Sequence, residues 1–344
     1  MQGPVMGPPA PDREAVELTD EEVYEIANRA GRLHRFGREL LQDTPLLVGL
    51  LLLAGLGVIA VVELLRYGSS VDTLAINLNW AILVTPPGPS WSHPFGIANY
   101  LGVDVLTAVL QATPWDLAIV GSILLASVAL GVFLGTYTGF TGGPLDYLVS
   151  MLCDVFLSIP PFLLVPVLYL GVATPAFIPP QYDLLTFLIV FIVVIWPYYA
   201  RPVRARAERV SREPYVEAAR ASGASPRRVL FRHVLPNSLF PVFAQLPVDL
   251  YNIFFVLTVF SYLGCQGHTQ SGNFGWVQVL PSVFFPEWGN LLGIGACYGW
   301  SFLPGSDFWW MYAFPLLMIV LFGMSVMLIC DGLERMLHGR AYGS

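Results

Sequence analysis

Lysine is missing altogether from this 344-residue chain, and charge of either sign is scarce, with 12 % of residues charged against 55 % hydrophobic. Each absence closes off a class of protein. A chain without lysine cannot build a P-loop, in which a Gly-rich turn and a lysine together hold the β and γ phosphates of a nucleotide. So little charge, at a mean hydropathy of +0.63, excludes an ordinary water-soluble domain and puts the chain in a membrane. The four cysteines form no CxxC or metal-ligand spacing, and His34, His93, His233, His268 and His338 form no HExxH or nucleophile set. A membrane enzyme is thereby left without a catalytic constellation. There is no repeat at a period of about 20 to 50 residues and no pair of inverted halves of the kind found in secondary transporters.

What the chain has in abundance is apolar sequence in long runs. Windows of about 20 residues suffice to cross a hydrocarbon core of roughly 30 Å. Such windows fall at 45–66, 115–138, 147–170, 184–203, 239–263 and 310–331, predicting an all-α integral membrane protein of six transmembrane helices. The first is expected to be a retained span, because a long polar segment precedes it and no small-residue cleavage site follows. All basic charges are arginines and can be followed one by one. Arg13, Arg29, Arg32, Arg35 and Arg38 precede the first span, those from Arg201 to Arg232 lie between the fourth and fifth, and Arg335 and Arg340 follow the sixth. Only Arg66 falls elsewhere. The positive-inside rule then puts both termini and the 204–238 loop in the cytoplasm. The outer segments carry Asp72, Asp104, Asp116, Asp183, Glu287 and Asp307. A solvated acidic rim and a surface attracting cationic or metal ligands both fit, the rim being the simpler.

The N-terminal tail, 1–44, starts Pro-rich and acidic, then turns into "TDEEVYEIANRAGRLHRFGRELL". Thr19 with Glu22 forms a capping box, and the apolar residues fall on one stripe, predicting an amphipathic helix. It serves as a lead-in to the first span, or lies on the membrane or on a partner. The outer loop 67–114 is expected to end in a short surface helix, "LGVDVLTAVLQA". The outer loop 264–309 is rich in tryptophan, glycine and proline, a composition suited to a membrane interface or a docked protein. In the second span Ser127, Gly131, Gly135 and Gly139 recur every fourth residue, a small-residue stripe that lets another helix approach closely.

The arginine-rich loop is punctuated as two short helices. Pro214 occupies a first helical position, Gly223 ends the turn, and Ser225 caps a second helix opened by Pro226. On the first, Tyr215, Ala218, Ala219 and Ser222 share a face, and Glu217 and Arg220 can reach sideways to a partner. "EAARASG" at 217–223, with "LPN" at 235–237, resembles the EAA loop of binding-protein-dependent ABC transporter permeases. In that family the loop forms a coupling helix seated in a groove of the ATP-binding subunit.

The resemblance extends over roughly residues 90–340. "HPFG" at 93–96, "DVL" at 104–106, "GG" at 142–143 with Asp146, "DVFLSIP" at 154–160, "FSYLG" at 260–264, "WGN" at 288–290 and "DGLE" at 331–334 occur in the order seen in dipeptide/oligopeptide-type permeases, and the short first outer loop is similar to the DppC-like half of the heterodimer. Two departures stand out. Gly102-Val103-Asp104 replaces the usual Gly-Arg-Asp, and "CQGHTQSGNFGWVQVLPSVFFPE" is a longer insertion than usual.

The resemblance implies a type I ABC importer permease fold, with a permease core over 115–338. It implies a second homologous permease, two ATP-binding subunits carrying ATP and Mg, and an extracytoplasmic solute-binding protein as partners, with no cofactor and no nucleic acid on this chain. It assigns ATPase coupling to Pro214, Tyr215, Glu217, Ala218, Ala219, Ser222, Gly223, Leu235 and Pro236. Substrates in the family are di- and oligopeptides, with relatives carrying oligosaccharides or nickel. An ATPase-independent carrier or channel is the rival class, and it leaves the structured loop unexplained.

In the fifth span Gln245, Asp249 and Asn252 form a polar stripe at i, i+4 and i+7. An ionisable group at that depth lines a pathway or bonds a neighbouring helix. Asp154 in the third span is expected to be structural. Cys153 and Cys330 fall in spans as buried apolar residues, while Cys265 and Cys297 share the second outer loop, where a disulfide can staple the insertion or both can remain thiols.

Overall fold

The computed structural model describes residues 43–67, 87–97, 104–172, 182–266, 287–289, 291–293 and 308–341. Those from Pro45 onward belong to one unit, and the amphipathic helix expected in the N-terminal tail lies outside the described residues. The helices are α1 (Thr44–Tyr67), α2 (Val105–Thr141), α3 (Pro144–Leu157), α4 (Pro161–Val172), α5 (Asp183–Val210), α6 (Pro214–Ala221), α7 (Pro226–Val229), α8 (Leu235–Ser238), α9 (Phe240–Gln266) and α10 (Trp310–Ala341). Among the described residues the one pairing of β type is an isolated bridge between Ile97 and Asp104. Among the described residues five helices, α1, α2, α5, α9 and α10, are long and apolar enough to cross a membrane alone, and counting α3 with α4 as one bent span makes six.

The most extensive pairing is α2 on α5, and the four-residue stripe explains it. A Cβ built on Gly131 would sit 2.6 Å from Trp196 O and Tyr199 Cβ, one on Gly135 would sit 2.5 Å from Ala200 O, and Gly139 lies against the Arg204 carbonyl. Ser127 is buried on the same stripe. With no side chains between them the two backbones touch, as the small-residue spacing predicts. Around this axis Ile119 and Ile123 of α2, Phe187, Phe191 and Val194 of α5, Ile253 and Leu257 of α9 and Phe322 and Val326 of α10 form one apolar core. Leu51, Leu65, Leu125, Phe133, Val320 and Met327 point outward, an exposure that suits lipid rather than water. Helix α1 joins α10 where Gly49 meets Ser325 and Leu328, and where Leu46 meets Gly332.

The third span is not the straight helix expected over 147–170. Helices α3 and α4 meet at 99°. Ile159 precedes Pro160, a position that disfavours helical backbone. The Pro160 carbonyl then accepts from Leu163 and Leu164 N–H and starts α4 afresh. At 1.5 Å per residue the arms are about 21 and 18 Å long, so neither crosses a core of roughly 30 Å alone. The expected surface helix at the end of the first outer loop is also different: residues from Val105 onward are the opening turns of α2, which runs through Pro114 without a break.

Residues 87–97 form a tight turn laid over the start of α10. Ile97 N–H donates to Pro87 O (2.9 Å) and Gly96 N–H to His93 O (2.9 Å). The Trp310 indole donates to Ile97 O at 3.1 Å, and Phe95 stacks on Phe314. Gly96, at φ +75, leaves room for the Trp310 indole. Asp104 caps α2, its Oδ1 accepting from Thr107 N–H at 2.8 Å, and its Oδ2 meets His93 Nδ1 at 2.8 Å. In this chain, then, the acid of the altered Gly-Val-Asp sequence is partnered by His93. The solvated acidic rim needs correction at three positions: Asp104 is half-buried in this cap, and Asp116 and Glu287 are fully buried. Asp72, Asp307 and the Asp183 side chain lie outside the described residues.

Candidate functional site

The loop joining α5 to α9 is built throughout. Pro214 opens α6, and Gly223 closes it at φ +83, backbone that an L side chain adopts only at a cost. Ala224 N–H returns to Ala219 O and Gly223 N–H to Arg220 O, satisfying the last carbonyls of the helix. Ser225 Oγ accepts from Arg228 N–H and caps α7. The two helices and their punctuation stand where the sequence predicts them.

What the sequence did not indicate is the turn of π-helix over Leu230–Val234, which ends with Leu235 N–H donating to Leu230 O. Pro236 has no N–H to offer the next turn, and Asn237 Nδ2 donates to His233 O at 2.7 Å. Such widened turns recur at functional sites.

Val216 is the inward side of α6. It is buried with Ala207 and Val210 of α5 and with Val229 and Val234, and Phe140, Ala224 and Leu230 pack around them. This small core fixes α6 against the ends of α2 and α5. The other side of α6 is free: Pro214, Tyr215, Glu217, Ala218, Ser222, Gly223 and Pro236 are exposed, while Ala219 and Leu235 are half-buried. Arg220, expected to reach toward a partner, instead turns back over the Phe140 ring at 5.2 Å from its centroid.

Two ion pairs brace the root of the loop. Arg204 grips Asp146 with two parallel bonds, Nε to Oδ1 and Nη2 to Oδ2, the second at 2.6 Å, the bidentate geometry of a guanidinium and a carboxylate. Arg201 Nη1 lies 3.1 Å from Asp154 Oδ1. Both ends of α3 are thus tied to the last third of α5, which agrees with a structural role for Asp154.

The polar stripe of α9 is also assembled. Gln245 Nε2 donates to Asp249 Oδ1 at 3.0 Å, and Asp249 faces the buried Tyr199 of α5 with Asn252 beside it. Asp249 is buried inside the chain, while Gln245 and Asn252 are half-buried. Cys153 is buried. Cys297 and the side chain of Cys265 lie outside the described residues, as does most of the insertion between them.

Residues 127–340 match the family described as "Binding-protein-dependent transport system inner membrane component". The chain is similar to the dipeptide transport system permease protein DppC of Alkalihalophilus pseudofirmus, 26 % identical over 86 % of each chain. It is 28 % identical to the probable D,D-dipeptide transport system permease protein DdpC of Escherichia coli, over 79 % of this chain and 80 % of that one. It is 29 % identical to the di/tripeptide transport system permease protein DppC of Pseudomonas aeruginosa, over 73 % and 75 %.

Proposed function

Because the chain belongs to the family of binding-protein-dependent transport system inner membrane components, we propose that it converts nucleotide-driven movement of a partner ATPase into opening and closing of a peptide path, through helix α6. The protein is a multi-pass permease component of the cell membrane, with the fold of a type I ABC importer permease. It works as a transport subunit, with ATP and Mg bound by two partner ATPases, which agrees with a chain that has no lysine for a P-loop. A second homologous permease completes the membrane pore, and a solute-binding protein delivers substrate from outside. Both termini and the 204–238 loop lie in the cytoplasm, in keeping with the arginine distribution.

The observation that carries this reading is the two-sidedness of α6. A helix held from below by Val216 and fixed to α2 and α5, yet open on its Tyr215, Glu217, Ala218 and Ser222 side, is suited to a groove on another protein and to passing a push on to the bundle. A lever needs both a free face and a stiff mount. The peptide substrate class follows from the three relatives, which are dipeptide, D,D-dipeptide and di/tripeptide transport permeases. Within α9, the half-buried Gln245 and Asn252 are the members of the stripe available to the path, and Asp249 is the hydrogen-bonded post that orients Gln245.

The test is reconstitution of the chain with its partner permease, ATPases and binding protein in liposomes. Glu217→Arg should leave assembly of the spans intact and abolish peptide-stimulated ATP hydrolysis and uptake. Full uptake by that variant would remove α6 from the coupling role.

A further inference from the structure

The two ion pairs that hold α3 to α5 are not alike. Arg204 and Asp146 are half-buried and joined by two parallel bonds, a closed pair with little left to offer. Arg201 and Asp154 meet through one contact, Nη1 to Oδ1 at 3.1 Å, and their side chains stay 61 % and 66 % exposed. Most of the guanidinium N–H groups and the second carboxylate oxygen are left over for a ligand.

The surroundings and the depth of the pair say what that ligand is. Beside Asp154 a cleft of about 420 Å³ runs along α3, lined by Tyr147, Ser150, Met151, Asp154, Val155 and Ser158. Leu148, Met151 and Val155 are exposed, which suits contact with lipid. The core lies on another side of α5: Tyr199 is buried in it, and Arg201, two residues on, stands about 200° around the helix from Tyr199. From Asp183, where α5 starts, to Arg201 the rise is about 27 Å, close to the full hydrocarbon thickness. The pair therefore lies at the level of the lipid headgroups, on the side of the α6 loop.

A headgroup that satisfies both members needs a phosphate for Arg201 and a cationic N–H donor for Asp154. A purely anionic headgroup sets like charge against Asp154, and a quaternary ammonium has no N–H to donate. We propose that the cleft on α3 and the Arg201–Asp154 pair form a site for a zwitterionic phospholipid with a primary ammonium, phosphatidylethanolamine. Its phosphate sits on Arg201, its ammonium on Asp154 and its acyl chains against Met151 and Val155. The site is separate from the free face of α6 and from the stripe of α9.

Native mass spectrometry tests this on the full-length chain and on the transporter it assembles into, each released from nanodiscs of equimolar phosphatidylethanolamine, phosphatidylcholine and phosphatidylglycerol with matched acyl chains. Both should retain phosphatidylethanolamine over the other two by about fivefold, the size of one exposed charge contact. Asp154→Asn should erase the preference over phosphatidylcholine while a phospholipid stays bound, and Arg201→Gln should lower retention of all three. Met151→Trp, which fills the cleft and leaves the ion pair in place, should also lower retention. Equal retention of the three lipids by wild type overturns the proposal in favour of an unselective lipid annulus, and preference for phosphatidylglycerol overturns it in favour of a plain arginine contact. A preference that survives both Asp154→Asn and Met151→Trp puts the lipid elsewhere and overturns the site. A preference shown by the chain and lost in the transporter overturns it in favour of the partner permease covering this face of α3. If Asp154→Asn does not fold, Met151→Trp and the wild-type order of lipids decide.

Discussion

Arg220 lays its guanidinium over the ring of Phe140, 5.2 Å from the centroid, and so straps the exposed helix α6 to the last turn of α2. The same α2 meets α5 through its glycine stripe, which makes one stiff path from the loop into the bundle. Force applied to α6 is therefore delivered to two helices at once.

Removing the strap should loosen α6 without unfolding it. Phe140→Ala loses the cation–π contact, about 1 kcal/mol, together with packing against the small core under Val216. Hydrogen exchange over 214–223 should rise severalfold while α2 and α5 stay protected. Arg220→Lys, which keeps charge but not the planar stack, should fall between Phe140→Ala and wild type.

Gly223 tests the mount at its other end. With φ at +83, Gly223→Ala should destabilise the loop by about 1 kcal/mol, and Gly223→Asn by less, because Asn tolerates left-handed backbone better. The open space around its Cβ position means that backbone strain alone is being measured. The check is the relative exchange rate of the Ala224 and Ser225 amides.

The α2–α5 seam should discriminate sharply among small residues. Gly135→Val puts atoms onto the Ala200 carbonyl and should cost upwards of about 3 kcal/mol, since overpacking at backbone contact has no side chain to displace. Ser127→Ala should be close to neutral, because the buried Ser127 Oγ has no hydrogen-bond partner among the described residues. Thermal unfolding of the two variants in the same detergent separates them.

That seam, the spans and the Pro and Gly punctuation of the loop were legible in the sequence, because each is written in local spacing: apolar windows for spans, four-residue repetition for a close seam, Pro214 and Gly223 for helix ends. The 99° break between α3 and α4 was not, because hydropathy is blind to direction and the flanking apolar residues carry the 147–170 window across Ser158-Ile159-Pro160. The acids Asp116 and Glu287 were misplaced on a solvated rim, since a charge near a span end reads as surface until its partner, far away in sequence, is known. For Asp249 the i, i+4, i+7 pattern fixed a face and left open whether that face met a pathway or a neighbouring helix, and the structure buries it facing Tyr199 of α5.

Asp249 should behave as a hydrogen-bonded post. Asp249→Asn keeps an acceptor for Gln245 Nε2 and should retain most uptake, whereas Asp249→Leu leaves Gln245 without its partner and should reduce uptake about tenfold, the effect of losing roughly 1.4 kcal/mol. Uptake at saturating and limiting substrate, measured side by side, separates a lost binding contact from a lost shape.

The most direct test of the central claim is a pair of rates on one preparation: ATP hydrolysis and peptide uptake by the reconstituted transporter carrying Glu217→Arg. The free face of α6 as the coupling surface predicts that the ATPases, still active on their own, no longer respond to loaded binding protein and that uptake falls to background. A variant that keeps both substrate-stimulated hydrolysis and uptake at wild-type rates would contradict it.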